Sequence, residues 1–183
     1  MLRGMALMSL VPVLMLGIAF PIDSARRGDS AEGTSKRPET TISCEGVVEY
    51  TDVLFTTIEE HGDYSDFWIN GDYDTIQQQD QGEIQNLVDD GRALLDDLEQ
   101  IEVPGVYDSG HRGIMLLFDN DVDTIEFLGV DAYTVPDFDQ WDRGLALILE
   151  GEKLVANECP DETEEVGGFI FFSIETLEDA LGQ

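Results

Sequence analysis

Residues 76–101 read IQQQDQGEIQNLVDDGRALLDDLEQI, and this stretch decides the fold. Ile76, Ile84, Leu87, Gly91, Leu94, Leu98 and Ile101 recur at steps of three and four, with Asp80 at the skipped position of that stripe. A helix turns once in 3.6 residues, so this spacing predicts one apolar helix face. Glu83, Asp89, Asp90, Asp96, Asp97 and Glu99 fall mostly on the other faces. A half-buried strand would alternate every second residue, and the chain rarely does so before residue 166. Val103-Pro104-Gly105 ends the segment, because proline disfavours helical backbone in the residue before it.

The same period extends on both sides. Upstream, Val47, Tyr50, Leu54, Ile58, Tyr64 and Trp68 form a stripe with His61 at its skipped position. That helix is expected to fray or break between Gly62 and Gly71, with Gly71 as a C-terminal cap. Downstream, Asp108 or Ser109 is a good N-cap for a helix carrying Ile114, Leu117, Phe118, Val122, Ile125 and Leu128, closed by Val135-Pro136. A fourth helix from about Asp137 uses Phe138, Trp141, Leu145, Ile148, Leu149 and Val155 and stops before Cys159-Pro160. Segments of about 20 residues span about 30 Å each. Short connections between them favour antiparallel neighbours. The expected fold is all-α, an up-down-up-down four-helix bundle. After a loop DETEEVGG, the apolar run Phe169–Ile174 and a short helix capped by Ser173 should pack back on it as a C-terminal extension.

The two cysteines fit this topology. Cys44 precedes the first helix and Cys159 follows the fourth, so an alternating bundle brings them to the same end. A disulfide between them is expected, and it implies an oxidising destination.

Beyond the helices the chain changes character. The whole sequence has 183 residues, 40 acidic and 9 basic, for a net charge of −31. Five of the basic residues lie before residue 38, so the region after Ser43 carries 36 acids against Arg92, Arg112, Arg143 and Lys153. Residues 1–25 read as an export signal. Arg3 gives them a positive start, Met5–Phe20 is nearly uncharged, and Gly17-Ile18-Ala19 within that run offers small residues for cleavage. The alternative is an uncleaved anchor, although the run is shorter than the about 20 residues a membrane span needs. Residues 26–43, RRGDSAEGTSKRPETTIS, have too few apolar side chains to order themselves and read as a linker. Arg27-Gly28-Asp29 within them is taken as chance composition. Residues 44–183 are the folded acidic domain, expected outside the cytoplasm: secreted or in the cell envelope.

Charge limits the partners. A surface this acidic repels nucleic-acid phosphates and anionic membranes, and favours a cationic protein or divalent cations.

Signals for chemistry are sparse. Asp119, Asp121 and Asp123 resemble the opening of a calcium loop, but Thr124 stands where glycine is needed and Val130 where the bidentate glutamate belongs. At most they suit a weak calcium site, and Asp63, Asp66, Asp72 and Asp74 offer a second acidic cluster of that kind. No cofactor is otherwise implied. His61 and His111 lack the Glu-x-x-His spacing of a di-iron bundle, and neither the zinc helix motif, nor a haem-attachment motif, nor a nucleophile elbow occurs. His61 is expected at the edge of the core with its hydrogen bonds satisfied. His111, with Arg112 and nearby carboxylates, is the one candidate polar site. Three functions remain: a non-catalytic binding or structural module, a weak calcium binder, and an enzyme or cofactor carrier using His61 or His111.

Overall fold

The computed structural model describes residues 43–182 except 71–75, 77–79 and 129–136, with Asn70 and Leu128 as backbone only. The expected export signal lies outside the described residues, as do the linker apart from Ser43, the Gly71 cap and Val135-Pro136. All regular structure among the described residues is helical: α1 (Val47–Glu60), α2 (Gly62–Asn70), α3 (Gln81–Leu98), a 3₁₀ turn (Gly105–Tyr107), α4 (Asp108–Leu128), α5 (Phe138–Glu158), α6 (Pro160–Glu165) and α7 (Ile174–Ala180). The protein is all-α. No helix among the described residues is long and apolar enough to cross a membrane.

The predicted stripes largely coincide with the buried faces. The exceptions are Phe138 at the start of its stripe, which is 63% exposed, Leu87, which is only partly buried, and Val88 and Leu95, which lie off the stripe and are buried. Val47, Tyr50, Leu54 and Ile58 are buried on α1, and Ile84, Val88, Leu94, Leu95 and Leu98 on α3. The first segment breaks at His61, one residue ahead of the expected interval, and α2 starts at Gly62. Asp80 is not a stripe residue. Its side chain caps α3, accepting from Gly82 N–H at 2.8 Å and Glu83 N–H at 3.0 Å, and Glu83 reaches back to the Asp80 N–H. This reciprocal cap satisfies donors that the first helical turn leaves free. Asp137 caps α5 by accepting from the Gln140 N–H, and Ser173 caps α7 by accepting from the Thr176 N–H.

α4 and α5 run antiparallel, with Gly110 beside Gly151, Gly113 beside Gly144 and Asn120 beside Asp137. Their backbones touch. A methyl group at Gly113 would stand 2.5 Å from the Gly144 carbonyl oxygen. α3 runs antiparallel to α4, since Gly91 meets Val122 and the Leu98 carbonyl meets His111.

Cys44 and Cys159 are joined in a disulfide, with Cα atoms 5.6 Å apart across a separation of 115 residues. The start of α1 is thereby tied to the end of α5.

The tail departs from expectation at one point. Pro160 starts a helix, α6, where a loop was predicted. A proline at the first helical position lacks only an N–H that would be unbonded anyway. Beyond α6 the chain turns at Gly167 and Gly168, whose φ values of +97° and +105° strongly disfavour other residues. It then returns to the core, burying Ile170, Phe171 and Leu177. Phe171 sits among Phe55 of α1, Trp68 of α2 and Phe118 of α4, at ring separations of 6.4, 5.9 and 6.1 Å.

Candidate functional site: buried polar groups between the helices

Glu152 occupies a core position on α5, on the stripe of Leu145, Ile148, Leu149 and Val155, and is only 2% exposed. A carboxylate taken out of water needs hydrogen bonds, and this one has a full set. Oε1 accepts from the Tyr107 hydroxyl at 2.8 Å and the Phe171 N–H at 2.7 Å; Oε2 accepts from the Ile170 N–H at 2.9 Å. The Phe172 N–H contributes as well. Burial raises the carboxyl pKa above its usual range against the opposing pull of these bonds. One side chain of α5 therefore holds both the 3₁₀ turn and the returning tail.

A second polar chain lies beside it. The Tyr50 hydroxyl of α1 meets His111 Nδ1 of α4 at 2.9 Å, and the Tyr50 ring lies 5.6 Å from that of Tyr107. His111 is buried. Burial lowers its pKa, against the influence of Asp108 and a bond to the Leu98 backbone. A neutral imidazole has one N–H. Bonding the Leu98 carbonyl requires that N–H on Nε2, which leaves Nδ1 to accept from Tyr50. Burial, and then the Glu152 charge, push the Tyr50 hydroxyl well above its normal range.

His61 stands at the α1–α2 break. Its Nδ1 is 2.9 Å from Asp90 Oδ1 and its Nε2 is 3.0 Å from Asp97 Oδ2, both carboxylates belonging to α3. Burial works against its charge, but the bonds and charges of Asp90 and Asp97 prevail and raise its pKa. Asp90 Oδ2 also accepts the Tyr64 N–H at 3.0 Å.

Arg92 of α3 lies against the acids that the sequence offered as a weak calcium site. Its guanidinium pairs with Asp119, Asp123 and Glu126 of α4. Asp121 points the other way, into the interior, where it is 2% exposed and accepts from the Tyr64 hydroxyl at 2.7 Å. Desolvation pushes the Asp121 carboxyl up to about 7, with the Tyr64 bond opposing.

The sequence candidates are thus dispersed. Asp119 and Asp123 share Arg92 while Asp121 faces Tyr64, because a helix spreads residues two apart to different sides. His111 faces Tyr50, whereas Arg112 is exposed and pairs with Asp108. His61 belongs to a third environment on α3. Asp63 and Asp66 are exposed, and Asp72 and Asp74 lie outside the described residues. The close group of Cys44, Cys159 and Glu162 offers no metal site, since its two sulfurs are bonded to each other. Glu152, Tyr107 and Tyr50 were not singled out from the sequence. The available signal was an acid at a core position of α5.

Two shallow depressions mark the outer surface. One, of about 500 Å³, lies beside the disulfide and is lined by Glu45, Glu49, Asp52 and Glu162 with Val47, Val48 and Val53. The other, of about 340 Å³, has Asp63, Asp66, Glu83, Asn86 and Leu87. No protein-family model matches the chain, and no curated protein or solved structure is similar to it.

Proposed function

We propose that this chain is an exported acidic module that works by binding a cationic protein surface, on a scaffold in which α1–α2, α3, α4 and α5 form a four-helix bundle of alternating direction. The observation that carries the proposal is the lining of the two surface depressions. Seven of their side chains are carboxylates and none is basic. The depression beside the disulfide adds exposed valine surface, which suits the aliphatic stem and charged end of lysine or arginine. The buried polar groups support a structural role for the interior, because His61, His111, Asp121 and Glu152 are each bonded to a neighbouring part of the fold. The disulfide agrees with export.

Titration calorimetry with a lysine-rich helical peptide tests the proposal. Glu45→Gln, Glu49→Gln, Asp52→Asn and Glu162→Gln together should abolish binding at 0.15 M salt. Neutralising Asp139, Asp142, Glu150 and Glu175 instead should leave most of it. Equal losses in the two sets would reduce the effect to net charge and overturn the assignment. The calcium alternative is separated by melting the protein with millimolar calcium and with magnesium at matched ionic strength. A rise specific to calcium, with no peptide binding, would replace the proposal.

A further inference from the structure

We infer that α2 is a proton-held element, docked on α3 and α4 in mildly acidic medium and released from them as the medium turns alkaline. The geometry of two side chains leads there. Both ring nitrogens of His61 lie within 3.0 Å of a carboxylate oxygen. A carboxylate at this distance accepts and cannot donate, so both nitrogens must carry protons. Only the imidazolium satisfies this bridge. Losing its proton cancels one bond outright and leaves Asp90 and Asp97 without their shared cation.

The second side chain is Tyr64, the anchor of α2. Its N–H donates to Asp90, the same carboxylate that His61 holds, and its hydroxyl donates to Asp121. Its ring packs against Gly91 of α3, where a Cβ would stand 2.9 Å from the ring. Hence α2 is fastened at one end by a protonated histidine and in its first turn through a carboxyl buried under tyrosine.

Among the described residues around His61 the bonded charges are acidic. His61 is bonded to Asp90 and Asp97 of α3, and its chain neighbours Glu59, Glu60 and Asp63 are acidic as well. Near Asp121, α4 contributes Asp119 and Asp123, and α3 contributes Arg92, which those two acids and Glu126 already engage. Among these described groups all but Arg92 and His61 are negative, so each proton lost adds repulsion.

Both shifts act in one direction. The folded His61 pKa lies above its ordinary 6.5, so its contribution is full below 6.5 and disappears as pH rises through the raised value. Asp121 rises from 3.8 to about 7, so its proton favours the docked state below 3.8 and that advantage drains away up to about pH 7. If the Asp121 carboxyl regains its ordinary range on release, the opening equilibrium of α2 grows about a hundredfold between pH 5 and pH 9 from this group alone. His61 adds to it above neutrality.

Trp68 on α2 reports the event, since it packs 5.2 Å from Phe118 and 5.9 Å from Phe171. In the full chain carrying Trp141→Phe, Trp68 emission should shift to the red and become quenchable by acrylamide between pH 6 and pH 9, reversibly, with helical circular dichroism nearly constant. Hydrogen exchange, corrected for its intrinsic base catalysis, should show protection falling in α2 at least tenfold more than in α4 and α5. Asp121→Asn should flatten the part of the profile below pH 7. His61→Gln should remove the part above it and loosen α2 at pH 6. Protection of α2 that tracks α4 across the whole range would overturn the inference, as would a wild-type profile in Asp121→Asn. Neither result depends on whether His61→Gln folds.

Discussion

Replacing Glu152 by leucine separates two ways of stabilising a returning tail. In the native chain this carboxylate accepts from the Tyr107 hydroxyl and from the Ile170 and Phe171 N–H groups. Leucine keeps the volume and removes every acceptor. If the tail stays docked, the Tyr107 hydroxyl and the Ile170 and Phe171 N–H groups lose their partner at about 1–3 kcal/mol each, and the Phe172 N–H loses its bond as well. If it lets go, Ile170, Phe171 and Leu177 return to water, at about 1.5–3 kcal/mol each. Release recovers conformational entropy at about 1–2 kcal/mol per freed residue, which offsets much of that exposure. Local release is therefore the cheaper response, and it caps the loss at about 3–5 kcal/mol. Urea unfolding measures that loss. Limited proteolysis reads the release directly, with new cleavage near the exposed Gly167-Gly168 turn. Glu152→Gln retains one acceptor oxygen and should lose about half as much. A Glu152→Leu protein within 1 kcal/mol of wild type, with no new cleavage, would show that aromatic packing alone seats the tail.

Two other changes probe the helix contacts. Cys44→Ala with Cys159→Ala frees a loop closed across 115 residues and should cost about 5 kcal/mol in the chain-entropy model, lowering the melting temperature by roughly 15 °C; a loss under 1 kcal/mol would mean the unfolded chain is already compact. Gly113→Ala places a methyl against the Gly144 carbonyl, a contact no rotamer change relieves, and should cost about 1–3 kcal/mol by urea midpoint. Gly105→Ala, with nothing within 4 Å, is its neutral control.

The apolar faces were legible because periodicity is a property of the chain itself. Ile84, Leu94 and Leu98 had only one arrangement in which they could be covered together, and they are buried. The cysteines were legible for a related reason, since the length and order of four segments place their ends. Asp80 was misplaced because a cap lies at the same three-to-four spacing as the stripe it precedes. The reciprocal pair Asp80-x-x-Glu83 was in the sequence and distinguishes the two. Pro160 reads as a stop or a start with equal ease, so α6 depended on what precedes it. Glu152 was hidden by abundance among 36 acids, and Asp121 was read with its neighbours as a weak cation site because its place on a buried face shows only once the stripes are drawn as faces. Their partners, Tyr107 and Tyr64, come from other helices, and no local pattern encodes those meetings.

The acidity and the fold are held apart in this molecule. Among the described residues Arg92, Arg112 and Lys153 pair with five acids and His61 with two more, far fewer than the acids present. At 0.01 M salt the screening length is about 30 Å, comparable to the length of a helix, so repulsion acts across the whole domain; at 0.15 M it is about 8 Å and acts only between neighbours. The strongest cross-links are indifferent to that change. The disulfide is covalent, the α4–α5 seam is glycine against backbone, and the Glu152 bonds are buried from counterions. α2 has less such protection, because one of its two fastenings is His61 on carboxylates at the edge of the solvent. Low salt should therefore loosen α2 before it loosens α4 and α5, and the part of the domain that meets a changing medium is the part whose attachment depends on charge.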